Sequence, residues 1–525
     1  MNTELSPAVQ SQGRMANSEE RQSIRSPLMD GHTDCGVRQS VNGEASPLLG
    51  SKEDIRSYKR RWYVLLVFSY AALLQAAVWN CFGPVAQSAE AVFGWTDAEI
   101  GMLNNWGTIV YIVFMVPVAW LMDVKGLRAS MLLCAVLLVL ATSLRCITSE
   151  PVPATWLINI AAILNGVAGT VTFAGPTLMS ATWFPPHQRA TATAVSTVLG
   201  YMGISGGFII GPLLVPQPDR VTNMSDIQPL NYSSDEADQP PNITSAIDVS
   251  AERDGLMLLM YVECAACVLL LLLVVVYFPA KPPSPPSLTA SMERTSYLQG
   301  LKGLFTHKRF PLILMAYGVP TGVFAAFGAV LDVNLEEVNV TQASHEYTLT
   351  HGVCRNSSQC SQNQAGWMGF YATMGGCLTG LLISRVSDMF MRHMKMLLLL
   401  MFFLATSATV WFVLIRLSYV PFSITSLYIS FILIGVFIPG SVPLFYELGC
   451  EASYPIAEGV TTGMLTLFNN LTGTIFLSIL QIPAIGVTWM NWCVLGTVVF
   501  SIPLLVLFKE GYTRTNIDME KHINA

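Results

Sequence analysis

Long apolar segments recur along the chain, and short polar segments separate them. Each of twelve segments is long enough to cross the roughly 30 Å hydrocarbon core of a bilayer as a helix. A helix satisfies its own backbone hydrogen bonds, which lipid cannot do. The chain is therefore predicted to be an all-α membrane protein with twelve transmembrane helices, near residues 62–82, 104–122, 128–147, 155–178, 190–212, 256–278, 311–333, 364–384, 394–415, 422–446, 459–481 and 487–508.

Composition supports the membrane interpretation and excludes several other classes. Hydrophobic residues make up 52% of the 525 residues, charged residues make up 12%, and the mean hydropathy is +0.50. A soluble domain usually carries about 25% charged residues. No phosphate-binding G-x-x-x-x-G-K-[ST] motif occurs, so ATP-driven pumping is not indicated. We expect a carrier and not an enzyme, with no metal or other cofactor and no nucleic-acid partner.

The distribution of Lys and Arg predicts the orientation in the membrane. With the N-terminus in the cytosol, the inner segments next to the membrane hold 19 of these residues and the outer loops hold five. Basic residues concentrate on the cytoplasmic side of membrane proteins. Both termini are therefore predicted to be cytosolic.

The two long loops of the outer side carry further signals. Glycosylation acceptors must face the lumen or the exterior, and five Asn-X-Ser/Thr matches lie in the loops after spans five and seven. Two cysteines of the second loop are candidates for a disulfide bond. The glycosylation candidates are Asn223, Asn231, Asn242, Asn339 and Asn356, and the cysteines are Cys354 and Cys360.

A proline-rich stretch divides the spans into two groups of six. We place N- and C-terminal six-helix bundles at 58–278 and 310–508, joined by a cytosolic linker at 279–309 and flanked by cytosolic tails at 1–57, which is predicted to be disordered, and 509–525. The turn after span four begins Trp183-Phe-Pro-Pro, and the turn after span ten begins Ser453-Tyr-Pro. Such a duplicated unit is typical of transporters that alternate access to a midplane site. A many-helix channel or receptor is the alternative.

Charged loops at matching places in the two halves are candidates for a gate. Asp123, Gly126 and Arg128 follow span two, and Asp388 and Arg392 follow span eight. The glycine permits a tight turn, and the Asp and Arg side chains could pair when this face closes. Simple anchoring by positive charge is the alternative interpretation.

Polar and aromatic residues within the spans are the candidates for substrate binding. Burying them in lipid is costly, so they are expected to face the protein interior. Amides beside aromatic rings suit a flat ring or a cation, whereas helix–helix hydrogen bonding is the alternative. The candidates are Gln75, Trp79, Asn80, Asn104, Tyr317, Phe324 and Asn469.

Proton coupling would require a titratable group in the transport pathway. Asp332, Glu263 and Glu447 are the candidates, and an interfacial charge is the alternative role for each.

The N-terminal tail contains a possible sorting signal. Glu44, Leu48 and Leu49 match the acidic dileucine pattern E-x-x-x-L-L, which clathrin adaptors read in exposed cytosolic segments.

Several of these strings together resemble a known family. Arg60–Leu66, Val78–Pro84, Gly126–Arg128, Ala181–Ala192 and Glu447–Pro455 are similar to solute carrier family 49, the feline leukaemia virus subgroup C receptor group of the major facilitator superfamily. The resemblance implies the major facilitator fold, with twelve helices in two six-helix halves.

The resemblance also implies a lysosomal location and a small organic substrate. Members of the family are associated with choline, ethanolamine, haem and proton-driven export of pyridoxine. In the choline-carrying relatives an aromatic cage includes a Trp of span one and a Tyr of span seven, and Trp79 and Tyr317 match those positions. The expected partners are a small-molecule substrate, protons and the lipid bilayer.

Overall fold

The structure is a computed structural model that describes residues 55–216, 249–292, 294–306, 309–331, 334, 357–390, 392–417, 419–421, 423–480, 482, 486 and 488–523. Apolar segments bounded by Gly, Pro and polar residues form its helices, as expected for segments whose backbone hydrogen bonds lipid cannot satisfy. In the N-terminal half these are α1 (Arg60–Trp79), α2 (Ala86–Phe93), α3 (Asp97–Val124), α4 (Gly126–Arg145), α5 (Pro151–Ala174), α6 (Pro176–Trp183), α7 (Arg189–Leu214) and α8 (Ser250–Val276).

Two short helices of the segment between the halves, α9 (Leu288–Ser291) and α10 (Tyr297–Thr306), come next. The C-terminal half follows the same plan with α11 (Phe310–Ala329), α12 (Ser357–Met389), α13 (Met394–Arg416), α14 (Ile424–Phe437), α15 (Val442–Ser453), α16 (Glu458–Leu480) and α17 (Thr488–Leu507). A final helix, α18 (Thr513–Ile523), ends the described chain.

A helix lies at each of the twelve predicted spans, although two spans consist of two helices each. Span four continues from α5 into α6 at Pro176, and span ten is divided by a 3₁₀ turn at Pro439–Ser441. Eleven helical segments of the described chain are long and apolar enough to cross a membrane. Helix α12 at span eight, with 33 residues, is not among them, because Gly, Thr and Tyr lower the hydropathy of its most apolar part.

Close backbone contacts hold the first and fifth spans of each half together. A Cβ atom on Gly203 of α7 would lie 2.2 Å from the carbonyl oxygen of Leu73 in α1. A Cβ atom on Gly322 of α11 would lie 2.3 Å from the carbonyl oxygen of Asn469 in α16. Small residues permit such approaches between membrane helices. The repeat seen in the sequence therefore extends to the packing of the two halves.

The glycine row of span five serves this contact within the N-terminal half. The positions next to Gly200, Gly203, Gly207 and Gly211 are occupied by α1 and the residues that follow it, from Ala72 to Val85. The row therefore packs helices of one half against each other.

The segment between the halves contacts both of them. The hydroxyl group of Tyr297 on α10 donates to the carbonyl oxygen of Val116 in α3 at 2.6 Å. On the same helix, Gly300 and Gly303 face Ile456, which lies between α15 and α16. The predicted linker at 279–309 thus contains ordered helices that pack at the boundary between the halves.

The region predicted as the tail 509–525 contains a helix with buried charges. In α18, Arg514 is 2% exposed and Asp518 is 6% exposed. The face of the bundle that carries α18, together with Asp388, Glu447 and Glu458, is called the tail face below; the other end is called the opposite face.

Candidate functional site

A cleft lies between the halves near the middle of the spans. Its cavity volume is about 10 Å³, room for about one water molecule, and both halves border it. The N-terminal half contributes the polar side chains of Gln75, Thr172, Ser196 and Thr197, and the C-terminal half contributes Tyr446. The remaining lining residues are Ala72, Phe173, Pro176 and Gly200.

Hydrogen bonds within the N-terminal half hold Gln75 at the cleft. Its side-chain oxygen accepts from the Thr172 hydroxyl at 3.2 Å, and its carbonyl oxygen accepts from Asn165 at 3.3 Å. Gly169 leaves room for the Gln75 amide, since a Cβ atom there would lie 2.7 Å from its nitrogen. Gln75 is thus a fixed amide beside hydroxyl groups, which suits recognition of a polar solute.

The two predicted aromatic residues lie behind the rings that border the cleft. Trp79 donates its indole N–H to the carbonyl oxygen of Asn104 at 2.8 Å, and its ring contacts Phe173 edge-on at 6.4 Å. Tyr317 is 2% exposed and donates its hydroxyl to the Tyr446 hydroxyl at 3.2 Å. The described geometry therefore places Phe173 and Tyr446 at the cleft, with Trp79 and Tyr317 supporting them from opposite sides.

Other predicted binding residues have partners within their own half. Asn80 donates from its side-chain amide to the carbonyl oxygen of Ile204 at 3.3 Å, and Asn104 accepts from Trp79 through its backbone. Asn469 packs its backbone against Gly322. Phe324 is 8% exposed and lies 5.7 Å from Phe431, within an aromatic core of the C-terminal half. In this conformation these contacts are those of helix packing.

The halves are joined on the tail-face side of the cleft. Asp388 of α12 accepts from the backbone N–H groups of Ala190 and Thr191 at 3.1 and 2.8 Å, and so caps the start of α7. A carboxylate is favourable there because the N-terminal N–H groups of a helix lack intrahelical partners. Further along the same interface, Thr177 and Thr462 share a hydrogen bond of 2.6 Å.

Glu447 of α15 adds a charged contact directly below the cleft. One of its oxygens accepts from the Thr193 hydroxyl at 2.6 Å and from the Ser180 hydroxyl at 3.4 Å, both in the N-terminal half. Its neighbour in sequence, Tyr446, lines the cleft, and Thr193 lies one helical turn before Ser196 and Thr197. Opening the tail face would break these bonds.

A buried ion cluster completes the tail face. Arg514 pairs with Glu447 at 2.7 Å, with Glu451 at 3.4 Å and with Glu458 at 3.5 Å. Burial lowers the pKa of Arg514, but the carboxylates more than offset this effect, so that the pKa lies well above its usual value. The guanidinium therefore stays charged and holds the three carboxylates together.

Two further arginines extend this cluster. Arg294, in the segment between the halves, pairs with Glu458 at 2.6 Å. Arg189 pairs with Asp518 at 3.0 Å and also donates to the Ser287 hydroxyl at 2.6 Å.

The predicted gate residues differ in their outcome. Gly126 adopts a φ of +81°, which explains a glycine at the turn before α4. Within the described part of the chain, no ion pair joins Asp123 to Arg128, whose side chain is exposed. Arg294 and Glu458 lie near Asp123 and pair with each other. Arg392 donates to Asn516 at 3.0 Å and not to Asp388. Of the five residues, the one whose side chain bonds across the halves is Asp388.

The proton-coupling candidates lie in three different environments. Glu263 pairs with Arg145 at 3.4 Å inside the N-terminal half, where Arg145 also donates to the carbonyl oxygen of Val78 at 3.1 Å. Glu447 belongs to the closed tail face. Asp332 lies outside the described residues.

Several other sequence predictions also fall outside the described residues. These are the sorting signal at Glu44, Leu48 and Leu49 and the glycosylation candidates Asn223, Asn231, Asn242, Asn339 and Asn356. Cys354 is likewise outside, and the side chain of Cys360 is not described.

Sequence reasoning identified Glu447 but missed the arginines of the ion cluster, together with Glu458 and Asp518. Arg189 and Glu458 do stand in the repeated Pro-containing turns, at the start of spans five and eleven. Arg514 and Asp518 are four residues apart in the last helix, which places them on one face. These spacings were visible in the sequence, but the partners were not.

Comparison with known proteins identifies the family. A family model described as Major Facilitator Superfamily matches residues 68–224. A solute carrier family 49 member 4 homologue of Xenopus tropicalis is 36% identical over 493 residues, which cover 92% of this chain and 99% of the relative. A choline/ethanolamine transporter of Felis catus is 24% identical over 474 residues, covering 88% of this chain and 74% of the relative.

Solved structures show the same fold at low identity. The Escherichia coli fucose:proton symporter matches with a TM-score of 0.61 and 12% identity, covering 86% of this chain and all of that one. A structure of this transporter in the outward conformation matches with a TM-score of 0.60 and 13% identity, at the same coverage. The expected major facilitator fold and family resemblance are confirmed. The chain is a multi-pass membrane protein that belongs to solute carrier family 49 of the major facilitator superfamily.

Proposed function

We propose that this chain exports pyridoxine from the lysosome together with protons, by alternating access, with both termini in the cytosol. The observation that carries the proposal is the cleft between the halves, which Gln75 and Tyr446 border and which bonds between the halves close at the tail face. In this orientation the tail face is cytosolic. The conformation then corresponds to one in which the cytosolic exit is shut.

The chemistry of the cleft suits a flat ring that carries hydroxyl groups. Phe173 and Tyr446 offer ring faces or edges, while Gln75, Thr172, Ser196 and Thr197 offer hydrogen-bond donors and acceptors. Its cavity volume of about 10 Å³ is far below the roughly 300–1,000 Å³ typical of small-molecule sites, so the cleft must widen before it can admit a solute. Similarity to member 4 homologues over 92% of the chain favours a substrate close to theirs.

Glu447 is the proposed coupling carboxylate. It lies directly below the cleft and accepts hydroxyl groups from the other half, so that its protonation would weaken the closure of the tail face. Both carboxylates pair with an arginine of their own half, Glu447 with Arg514 and Glu263 with Arg145, but only Glu447 of the two also accepts hydrogen bonds from the other half in the described residues. Replacing Glu447 with Gln is expected to remove the dependence of transport on the proton gradient.

The direct test is uptake by cells that carry the protein in the plasma membrane. The double substitution Leu48→Ala and Leu49→Ala is expected to divert it there by removing the proposed adaptor signal. Labelled pyridoxine uptake should then rise as the external pH is lowered from about 7.5 to about 5, the direction expected for coupling to proton entry. The absence of pyridoxine uptake with the protein present at the cell surface would disprove the substrate.

The second candidate is a carrier of choline or ethanolamine. Two relatives named as choline/ethanolamine transporters match 83% and 88% of this chain, and the rings of Trp79 and Tyr317 contact Phe173 and Tyr446, which border the cleft. Labelled choline in the same cells distinguishes this candidate, since a cation bound by aromatic rings would compete with pyridoxine only if the site is shared. Labelled haem offered to the same cells tests a haem-type carrier.

A non-transporting receptor remains the alternative of another class. It predicts that Trp79→Ala and Tyr317→Ala leave the cellular phenotype unchanged.

A further inference from the structure

The last helix, α18, connects the two halves at the tail face. Arg514 in its first turn binds three carboxylates of the C-terminal half, those of Glu447, Glu451 and Glu458. Asp518, one turn later, pairs with Arg189 of the N-terminal half at 3.0 Å. The two side chains are four residues apart and therefore lie on one face of the helix. Helix α18 thus bridges the boundary between the halves with a cation on one side and an anion on the other.

The C-terminal half holds α18 more firmly than the N-terminal half does. Besides the three ion pairs of Arg514, Thr515 donates both its backbone N–H and its hydroxyl to Glu451. The hydroxyl of Tyr512 accepts the backbone N–H of Met394 at 3.1 Å. Within the described residues, the ionic contact from α18 to the N-terminal half is that of Asp518. When the halves separate at this face, α18 should stay with the C-terminal half.

The Asp518–Arg189 pair is well suited to act as the separable contact. Both side chains are buried, at 6% and 3% exposed. Thr289 adds its backbone N–H and its hydroxyl to Asp518, both at 2.8 Å. Removing one member of such a pair leaves the other as a buried charge without its partner, which is strongly unfavourable.

We propose that α18 is a latch on the transport cycle: the Asp518–Arg189 pair holds the tail face closed and must break before the cleft can open toward that face. The proposal rests on the alternating access proposed above and adds a control point outside the twelve spans.

The test measures distances between the halves with spin labels on the full chain in lipid nanodiscs. Labels at Val124 and Phe390, 54% and 56% exposed, report on the tail face. Labels at Leu213 and Tyr419, 79% and 78% exposed, report on the opposite face. Asp518→Asn keeps the shape of the side chain and removes its charge, and Arg189→Gln removes the other charge.

A matched control lies on the same helix. Asn516 is exposed and accepts from Arg392 of the C-terminal half, so Asn516→Ala removes a contact of α18 that does not cross the boundary. Asp518→Asn should raise the ratio of long to short distances at the tail face by roughly tenfold or more, and shorten the distances at the opposite face. Asn516→Ala should change that ratio by less than about twofold.

The double variant adds an internal check. If the two charges act as one contact, Asp518→Asn combined with Arg189→Gln should shift the ratio no further than either change alone. An unchanged ratio in correctly folded Asp518→Asn, an equal shift in Asn516→Ala, or lengthening at the tail face without shortening opposite would each overturn the latch. The measurement needs no substrate. A failure of pyridoxine uptake would therefore remove the solute assigned above and leave this result standing.

Discussion

Replacing Gly203 with Ala tests the helix contact that shapes the N-terminal side of the cleft. The added methyl group would lie 2.2 Å from the carbonyl oxygen of Leu73 and 3.0 Å from its carbonyl carbon. Carbon–oxygen contacts between helices are normally no closer than about 3.3 Å, so α1 and α7 must move apart by about 1 Å. Both atoms belong to the backbone of α1, so a side-chain rotation cannot relieve the clash.

The expected magnitude follows from two opposing effects. Overpacking costs about 1–3 kcal/mol, while replacing a glycine inside a helix with alanine recovers about 1 kcal/mol. Because the clash is with backbone, the cost should lie near the upper end, leaving a net loss of about 2 kcal/mol. Gly200→Ala is the matched control: its nearest neighbour would be the Ala72 side chain at 3.8 Å, an ordinary contact.

Thermal unfolding in detergent separates the two variants. Gly203→Ala should melt below the wild type, and Gly200→Ala at or above it. Transport should also respond, since Gln75 on α1 and Ser196 on α7 border the same cleft. A 1 Å displacement between the two helices would raise KM. If Gly203→Ala melts as high as Gly200→Ala, the helix contact is not as close as described.

Three further substitutions, with Phe324→Leu as a control, test other parts of the site. Arg514→Gln leaves Glu447, Glu451 and Glu458 without their shared cation. It should lower the free energy of unfolding by about 3–5 kcal/mol, measured as a lower melting temperature. Thr193→Val removes a hydroxyl from the buried Glu447 carboxylate and should cost about 1–3 kcal/mol in the same assay, whereas a value near zero would show that Ser180 compensates. Tyr446→Phe removes the hydroxyl that contacts Tyr317 and Thr466 at the cleft and should raise KM for the transported solute several-fold, whereas Phe324→Leu, in the aromatic core, should lower stability with little change in KM.

The sequence predicted the helices well because span length and apolarity are local properties. Each predicted span contains a helix, and the glycine at position 126 adopts the positive φ expected for a turn. Span eight was identified from residues 364–384, and the structure places a helix of 33 residues there, although its composition alone is less apolar than that of the other spans. The two halves were separable for the same reason, since the proline-rich stretch at 279–286 interrupts the apolar pattern.

The site was less predictable because its contacts join distant parts of the chain. Arg189 and Asp518 are 329 residues apart, and no local pattern tells which carboxylate an arginine will meet. Polarity within a span indicates that a side chain avoids lipid, but not whether it faces the cleft or a neighbouring helix. Trp79 and Tyr317 are predicted to bind the substrate, and in this conformation Phe173 and Tyr446 border the cleft in front of them.

The placement of α10 has a consequence for any two-chain version of this protein. Tyr297 is bonded to α3 and Gly300 packs beside Ile456, so the segment joining the halves is also a wedge between them. Cutting the backbone among the prolines at 282–286 would leave that wedge attached to the second fragment, and the fragments should still reassemble when produced together. Deleting residues 288–306 would remove both the covalent connection between the halves and the contacts that α10 makes with them. A flexible linker of equal length would restore only the connection.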